Sequence, residues 1–120
     1  MQRLLDIRKY MDRIEQLKEF IKETPQDPFL HYALTMEYVK LGDIEQSRAG
    51  FAHMVSVYPD YVGTYYHYAK FLEKQDEKES AEKIYEEGII VANRMRNRHA
   101  MGELQAALNL LRGIDEDDDY

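Results

Sequence analysis

The chain has 120 residues, 44% of them hydrophobic, no cysteine and a formal net charge of -7. That length supports one modest core, and the missing thiols exclude a disulfide framework, a thiolate metal site and a cysteine nucleophile. The acidic balance disfavours a general nucleic-acid binder, which needs surplus Lys and Arg on one face to neutralise phosphates. No run approaches the ~20 apolar residues of a membrane span, and the N-terminus alternates Leu and Arg where a signal peptide would carry an apolar core. The chain therefore reads as soluble and cytoplasmic.

Leu4, Ile7, Met11, Ile14, Leu17 and Ile21 follow three-and-four spacing, which predicts one long amphipathic helix over about 3–23. Thr24-Pro25-Gln26-Asp27-Pro28 stops it. Pro25 disfavours helical geometry at Thr24, and Asp27 before Pro28 supplies an N-cap and first-turn pair. A second helix from about Pro28 carries Phe29, Tyr32, Ala33, Leu34, Met36, Tyr38 and Leu41 and ends at Gly42, the favoured residue just past a helix C-terminus. Asp43 caps a third helix, with Gln46 in capping-box spacing, running to about Val57 before Tyr58-Pro59-Asp60 breaks it.

The pattern then restarts. A fourth helix is expected over about 61–74, with Tyr65, Tyr68, Ala69 and Leu72. A turn at Gln75-Asp76 follows, and a fifth helix opens with Asp76 and Glu79 in capping-box spacing. Its far boundary falls near Asn93, with a run-on into Arg94 to His99 left open. A last helix, about 98–112, shows Met101, Leu104, Leu108 and Leu111 on one face, and Gly113 ends it. Residues 114–120 form a short acidic tail.

Pro25, Pro59 and Asn93 stand 34 residues apart, and Leu34, Tyr38 and Phe51 recur one period on as Tyr68, Leu72 and Tyr85. This is a repeat. The residues resemble the tetratricopeptide repeat family, whose helix-turn-helix unit has this period and the pattern W-x2-L-G-x2-Y, A-x3-F, P. The pattern falls on His31, Leu34, Thr35, Tyr38, Ser47, Phe51 and Pro59, and again on Tyr65, Tyr68, Ala69, Leu72, Ala81, Tyr85 and Asn93. His31 alone departs in side-chain class. In the N-terminal helix Leu17 takes the Phe place and Pro25 the Pro place, but Arg13 replaces the small residue, so its outer half is expected to pack differently.

The expected fold is all-α, a short right-handed α-solenoid of antiparallel helix pairs over 1–113. It comprises an N-terminal helix (1–24), repeat 1 (28–60), repeat 2 (61–93) and a C-terminal capping helix (96–112). Ala33, Ala69 and Ala81 would let helices approach, with Tyr38, Phe51, Leu72 and Tyr85 filling the gaps.

The resemblance implies a non-catalytic protein-protein interaction module, whose first helices line a concave groove for a peptide or partner helix. The groove positions are Phe29, Tyr32, Met36 and Lys40 in one unit, and Gly63, Tyr66, His67, Lys70 and Lys74 in the next. Aromatic and Met side chains beside lysines suit an apolar segment with some acidic character. The Lys and Asn clamp of chaperone-adaptor members is not matched, since Tyr32, Met36 and His67 stand at those places.

The alternative is a self-associating structural unit or small chaperone-like assembly factor using its terminal helices, because Ile7, Tyr10, Ile14, Leu17 and Ile21 also fit heptad spacing. The basic cluster Arg94, Arg96, Arg98 and His99 could meet an acidic partner, an RNA backbone or the tail 115–119. No cofactor or metal is expected: His31, His53, His67 and His99 form no H-x3-H or HExxH run, and there is no phosphate loop or nucleophile elbow.

Overall fold

The computed structural model describes residues 2–113, which form six helices: α1 Gln2–Glu23, α2 Pro28–Leu41, α3 Ile44–Val57, α4 Gly63–Lys74, α5 Lys78–Arg94 and α6 Arg98–Leu111. Strands are absent among the described residues, so the all-α expectation holds. The expectations placed on residues 114–120 lie outside them. Two compact units divide the chain, 1–58 with α1 to α3 and 59–120 with α4 to α6.

In the first unit α2 packs against both α1 and α3. Asp27 accepts the Phe29 N–H at 3.0 Å, Pro28 opens α2, and Gly42 closes it at φ 85°. The missing Cβ makes that left-handed conformation cheap. Asp43 accepts the Gln46 N–H at 3.1 Å, the forward half of a capping box. Phe51, Met54 and Ser47 are buried on α3 and Thr35 on α2.

Of the apolar stripe on α1 only Ile14 is buried, while Tyr10, Leu17 and Ile21 are half-buried. The reason is length: at about 1.5 Å per residue, the 22 residues of α1 outrun the 14 of α2. Leu4, Leu5, Ile7 and Met11 consequently stay exposed.

In the second unit α5 lies against both α4 and α6, and α4 also touches α6. Tyr85, Ala81, Ala69 and Ala92 are completely buried, and Leu104 and Leu108 of α6 nearly so. Gly88 makes the closest approach: a Cβ there would stand 2.6 Å from Tyr65 Cβ and 3.1 Å from Leu104. The fourth helix starts two residues later than its periodicity predicts. Tyr61 and Val62 instead form a turn, accepting the N–H groups of Thr64 and Tyr65 at 3.2 and 3.3 Å. Tyr65 holds that turn by donating its hydroxyl to the Pro59 carbonyl.

That bond has a counterpart in the first unit. His31 occupies the place one period before Tyr65, and its Nε2 lies 2.7 Å from the Pro25 carbonyl. A carbonyl only accepts, so Nε2 carries the proton. The apparent departure at His31 thus preserves the donor to a proline carbonyl six residues back.

The turns α2–α3, α4–α5 and α5–α6 share one design. Gly42, Asp76 and Arg96 adopt positive φ, and the following N–H groups, of Asp43, Glu77 and Asn97, return to Tyr38, Leu72 and Ala92 carbonyls at 3.1, 3.0 and 2.8 Å. This six-to-one bond is a Schellman motif. It corrects the expected cap at Asp76, which instead takes the left-handed place that a short polar side chain tolerates. Glu77 stands at the N-cap, where its side chain makes no capping bond to the first turn of α5. The same motif ends α5 just past Arg94, so the helix does not run on to His99, and Asn97 caps α6 by accepting the Ala100 N–H at 3.0 Å.

Candidate functional site

On α2, the spacing of Phe29, Tyr32, Met36 and Lys40 puts all four on one strip. Phe29 is 57% exposed, Tyr32 and Met36 are half-buried, and Lys40 is exposed with its Nζ 3.4 Å from Glu37 Oε1. Cavities of the first unit lie elsewhere. One of about 300 Å³ has Met11, Ile14, Glu15 and Lys18 facing Tyr38 and Leu41; another, of about 640 Å³, lies along Leu4, Ile7 and Met11 of α1.

The second unit gathers its expected residues into a groove between α4 and α6. One cavity, about 350 Å³, sets Gly63, Tyr66 and His67 against Asn97, His99, Ala100, Glu103 and Leu104. A second, about 300 Å³, sets Tyr66 and Lys70 against Glu103, Ala106, Ala107 and Leu110. Tyr66 and Glu103 line both, so the two run on as one channel. Lys74 lines neither.

The channel is polar at one end and apolar at the other. At the polar end Asn97 caps α6, and His99 Nε2 lies 3.0 Å from Glu103 Oε1. His67 meets the Tyr66 ring edge-on at 5.5 Å between centroids. Burial pushes the His67 imidazole below its ordinary pKa, against the opposing pull of Glu103. At the apolar end Ala106 and Ala107 leave room beneath Tyr66 and Leu110, and Leu110 is 74% exposed. Lys70 Nζ sits 5.7 Å above the Tyr66 ring, within cation-π range, and 3.6 Å from Glu73. Glu73 also accepts the Tyr85 hydroxyl, and burial followed by that bond raises the Tyr85 pKa. Lys70 is thereby tied to the core through Glu73.

Sequence reasoning missed the α6 wall, reading that helix as a cap alone. The signal was present: residues 99, 103, 106 and 110 recur at three-and-four spacing on the face flanking Leu104 and Leu108. The basic cluster is mostly the α5–α6 turn. Arg94 pairs with Asp60, Arg96 holds the left-handed position, and His99 pairs with Glu103. Among the described residues no group of three or more His, Asp or Glu is arranged to hold a metal, and no helix is long and apolar enough to cross a membrane.

No family model matches the chain, and no curated protein matches it. Solved structures do. The solution structure of a tetratricopeptide repeat domain protein from Salinibacter ruber is 36% identical over 80% of this chain and 97% of that one, with a TM-score of 0.72. A crystal structure of a tetratricopeptide repeat domain protein from the same organism is 38% identical over 75% and 100%, at 0.70. A solution structure from Bordetella parapertussis, 19% identical over 88% and 91%, reaches 0.72 and supports the fold alone. With its 34-residue period, its Schellman turns and these likenesses, the chain belongs to the tetratricopeptide repeat family.

Proposed function

We propose that this protein is a non-catalytic, cytoplasmic protein-interaction module that holds an extended segment of a partner in the channel between α4 and α6. The observation carrying the reading is the channel's graded wall. An aliphatic side chain suits the space among Tyr66, Leu110, Ala106 and Ala107, and a neighbouring carboxylate would meet Lys70. Phe29, Tyr32, Met36 and Lys40 offer a second strip of the same character on α2. The absence of cysteine fits a reducing compartment.

The test starts from peptides selected out of a random display library on the immobilised chain. Their amide-shift footprint on the labelled protein should centre on 66, 70, 103, 106 and 110. Tyr66→Ala or Leu110→Ala should weaken binding about tenfold, which is about 1.4 kcal/mol. Unchanged affinity in both variants sinks the reading.

Self-association through α1 is the second reading, supported by the exposure of Leu4, Leu5, Ile7 and Met11. Ile14 is already buried, so any seam is confined to the first three turns. Light scattering that gives a monomer at all concentrations rejects it.

A further inference from the structure

One side chain sets the charge of the α4–α6 channel. Lys70 is already paired with Glu73 at 3.6 Å, and burial lowers the His67 pKa, which keeps that imidazole uncharged at neutral pH. Glu103 lines both cavities and meets no Lys or Arg among the described residues. We propose that Glu103 receives a basic side chain of the bound segment, arginine in preference to lysine, placed two residues from the aliphatic side chain seated at Leu110. This rests on the channel reading above, and adds the charge and spacing by which a partner is chosen.

Charge complementarity is the first argument. His99 Nε2 takes up Glu103 Oε1 at 3.0 Å, and Oε2 meets no partner among the described residues. An ionised carboxylate accepts through both oxygens, about four lone-pair sites in all, so Glu103 retains capacity for an incoming cation. Its side chain is 55% exposed, which lets that cation reach it with no helix moving. Tyr66 lines the same two cavities and adds an aromatic ring. A carboxylate together with a ring suits the planar guanidinium better than the compact ammonium of lysine. The net charge of -7 on the whole chain draws basic segments toward it during approach.

Spacing is the second argument. The apolar end of the channel, at Ala106, Ala107 and Leu110, follows Glu103 by three to seven residues along α6. At 1.5 Å per residue that is a distance of about 5 to 10 Å. Side chains two places apart on an extended segment point the same way and stand about 6.6 Å apart. A segment with its aliphatic side chain at Leu110 therefore presents the second of these beside Glu103. An acid at that place would meet the carboxylate instead and be rejected.

The experiment sorts one random display library in parallel on the parent chain and on Glu103→Arg. Peptides from the parent should carry Arg or Lys two places from Leu, Ile, Val or Met, and should shift the amides around 66, 103, 106 and 110 of the 15N-labelled protein. Their affinity should fall about three- to tenfold on Glu103→Gln, and most of that difference should vanish at about 0.5 M salt. Glu103→Arg should select Asp or Glu at the same place. A parent-selected peptide with its basic residue changed to Glu should bind Glu103→Arg more tightly than it binds the parent. Both variants should keep the parent's urea midpoint, as the replaced side chain is exposed.

Peptides that shift the channel amides yet lack a basic residue, and bind Glu103→Gln as tightly as the parent, overturn the Glu103 inference while the channel reading stands. A loss on Glu103→Gln that is equally large for a peptide whose basic residue has been changed to Gln assigns the effect to packing of the wall and overturns the pairing. Failure of every peptide to perturb the channel overturns both readings.

Discussion

The two units answer the same 34-residue period with different chemistry at matching places. Position 37 on α2 holds Glu, buried to 6% exposure, whereas position 71 on α4 holds Phe, buried to 5%. In the first unit Arg13 of α1 reaches Glu37 Oε1 at 3.3 Å and Lys40 joins at 3.4 Å, while Glu37 Oε2 has no protein partner. The position equivalent to Arg13 is Ser47 in α3 and Ala81 in α5. The second unit is built without such a charge. Gly88 admits Tyr65, Tyr85 fills the interior, and α6 closes onto both α4 and α5. A repeat therefore prescribes where side chains meet and leaves open whether they meet as ions or hydrocarbon.

Breaking the second unit's tight contact should have the largest effect. Gly88→Ala drives a methyl against Tyr65 Cβ, which is fixed to its backbone and cannot swing clear, and against Leu104 Cδ1, at a cost of about 2–3 kcal/mol. Urea unfolding should show it, with lost hydrogen-exchange protection centred on α4 and α5. The first unit has an equally close approach at Gly50, whose Cβ would run into Thr35 Oγ1 and stand 2.9 Å from its Cγ2. Thr35 is buried and its hydroxyl donates to the His31 carbonyl at 2.9 Å, so Gly50→Ala should cost a comparable amount by the same urea measurement.

The first unit's charged contact is sharpened by two substitutions of opposite expected sign. Arg13→Ala leaves Glu37 with Lys40 alone and should destabilise by about 1 kcal/mol, a figure kept low because Arg13 is half exposed. Glu37→Met removes the buried carboxylate with its unsatisfied oxygen and should be neutral or stabilising by about 1 kcal/mol. A clear loss of stability in Glu37→Met would show that the ion pair holds the unit together.

His67 gives the second unit a dependence on pH. Its folded pKa is lowered by burial, so the unfolded chain takes up a proton first as pH falls. The stability it supports is present above the unfolded value of about 6.5 and declines as pH falls through that value toward the lower folded one. His67→Gln should flatten the urea midpoint between about pH 7 and 5 relative to the parent chain, by an equivalent of less than about 1 kcal/mol. The smallest effect belongs to the overhang of α1: Leu4→Lys should change stability by less than about 0.5 kcal/mol, as its side chain is 70% exposed.

Local chemistry made much of the fold legible. Asp27 with Pro28, Gly42 with Asp43, and Gly113 all mark helix ends where the structure has them, because capping depends on a few neighbouring atoms. Asp76 was misplaced for an equally local reason. Asp serves both as an N-cap and as a tolerated left-handed residue, and only the 34-residue step from Gly42 decides between them. Gly88 reads as one weak helix former among good ones until Tyr65 is seen to lie against it.

The channel was half legible. Tyr66, His67 and Lys70 follow from position within the repeat, whereas His99, Glu103, Ala106 and Leu110 required knowing that α6 lies beside α4. By itself the sequence determined the helices, their turns and their family, since backbone hydrogen bonding and hydrophobic period are written in residues close along the chain. Which of those helices share a wall, which carboxylate is buried with half its partners, and which apolar turns of α1 go uncovered were decided by the tertiary structure. Those outcomes depend on helix length and on side chains tens of residues apart filling the same space.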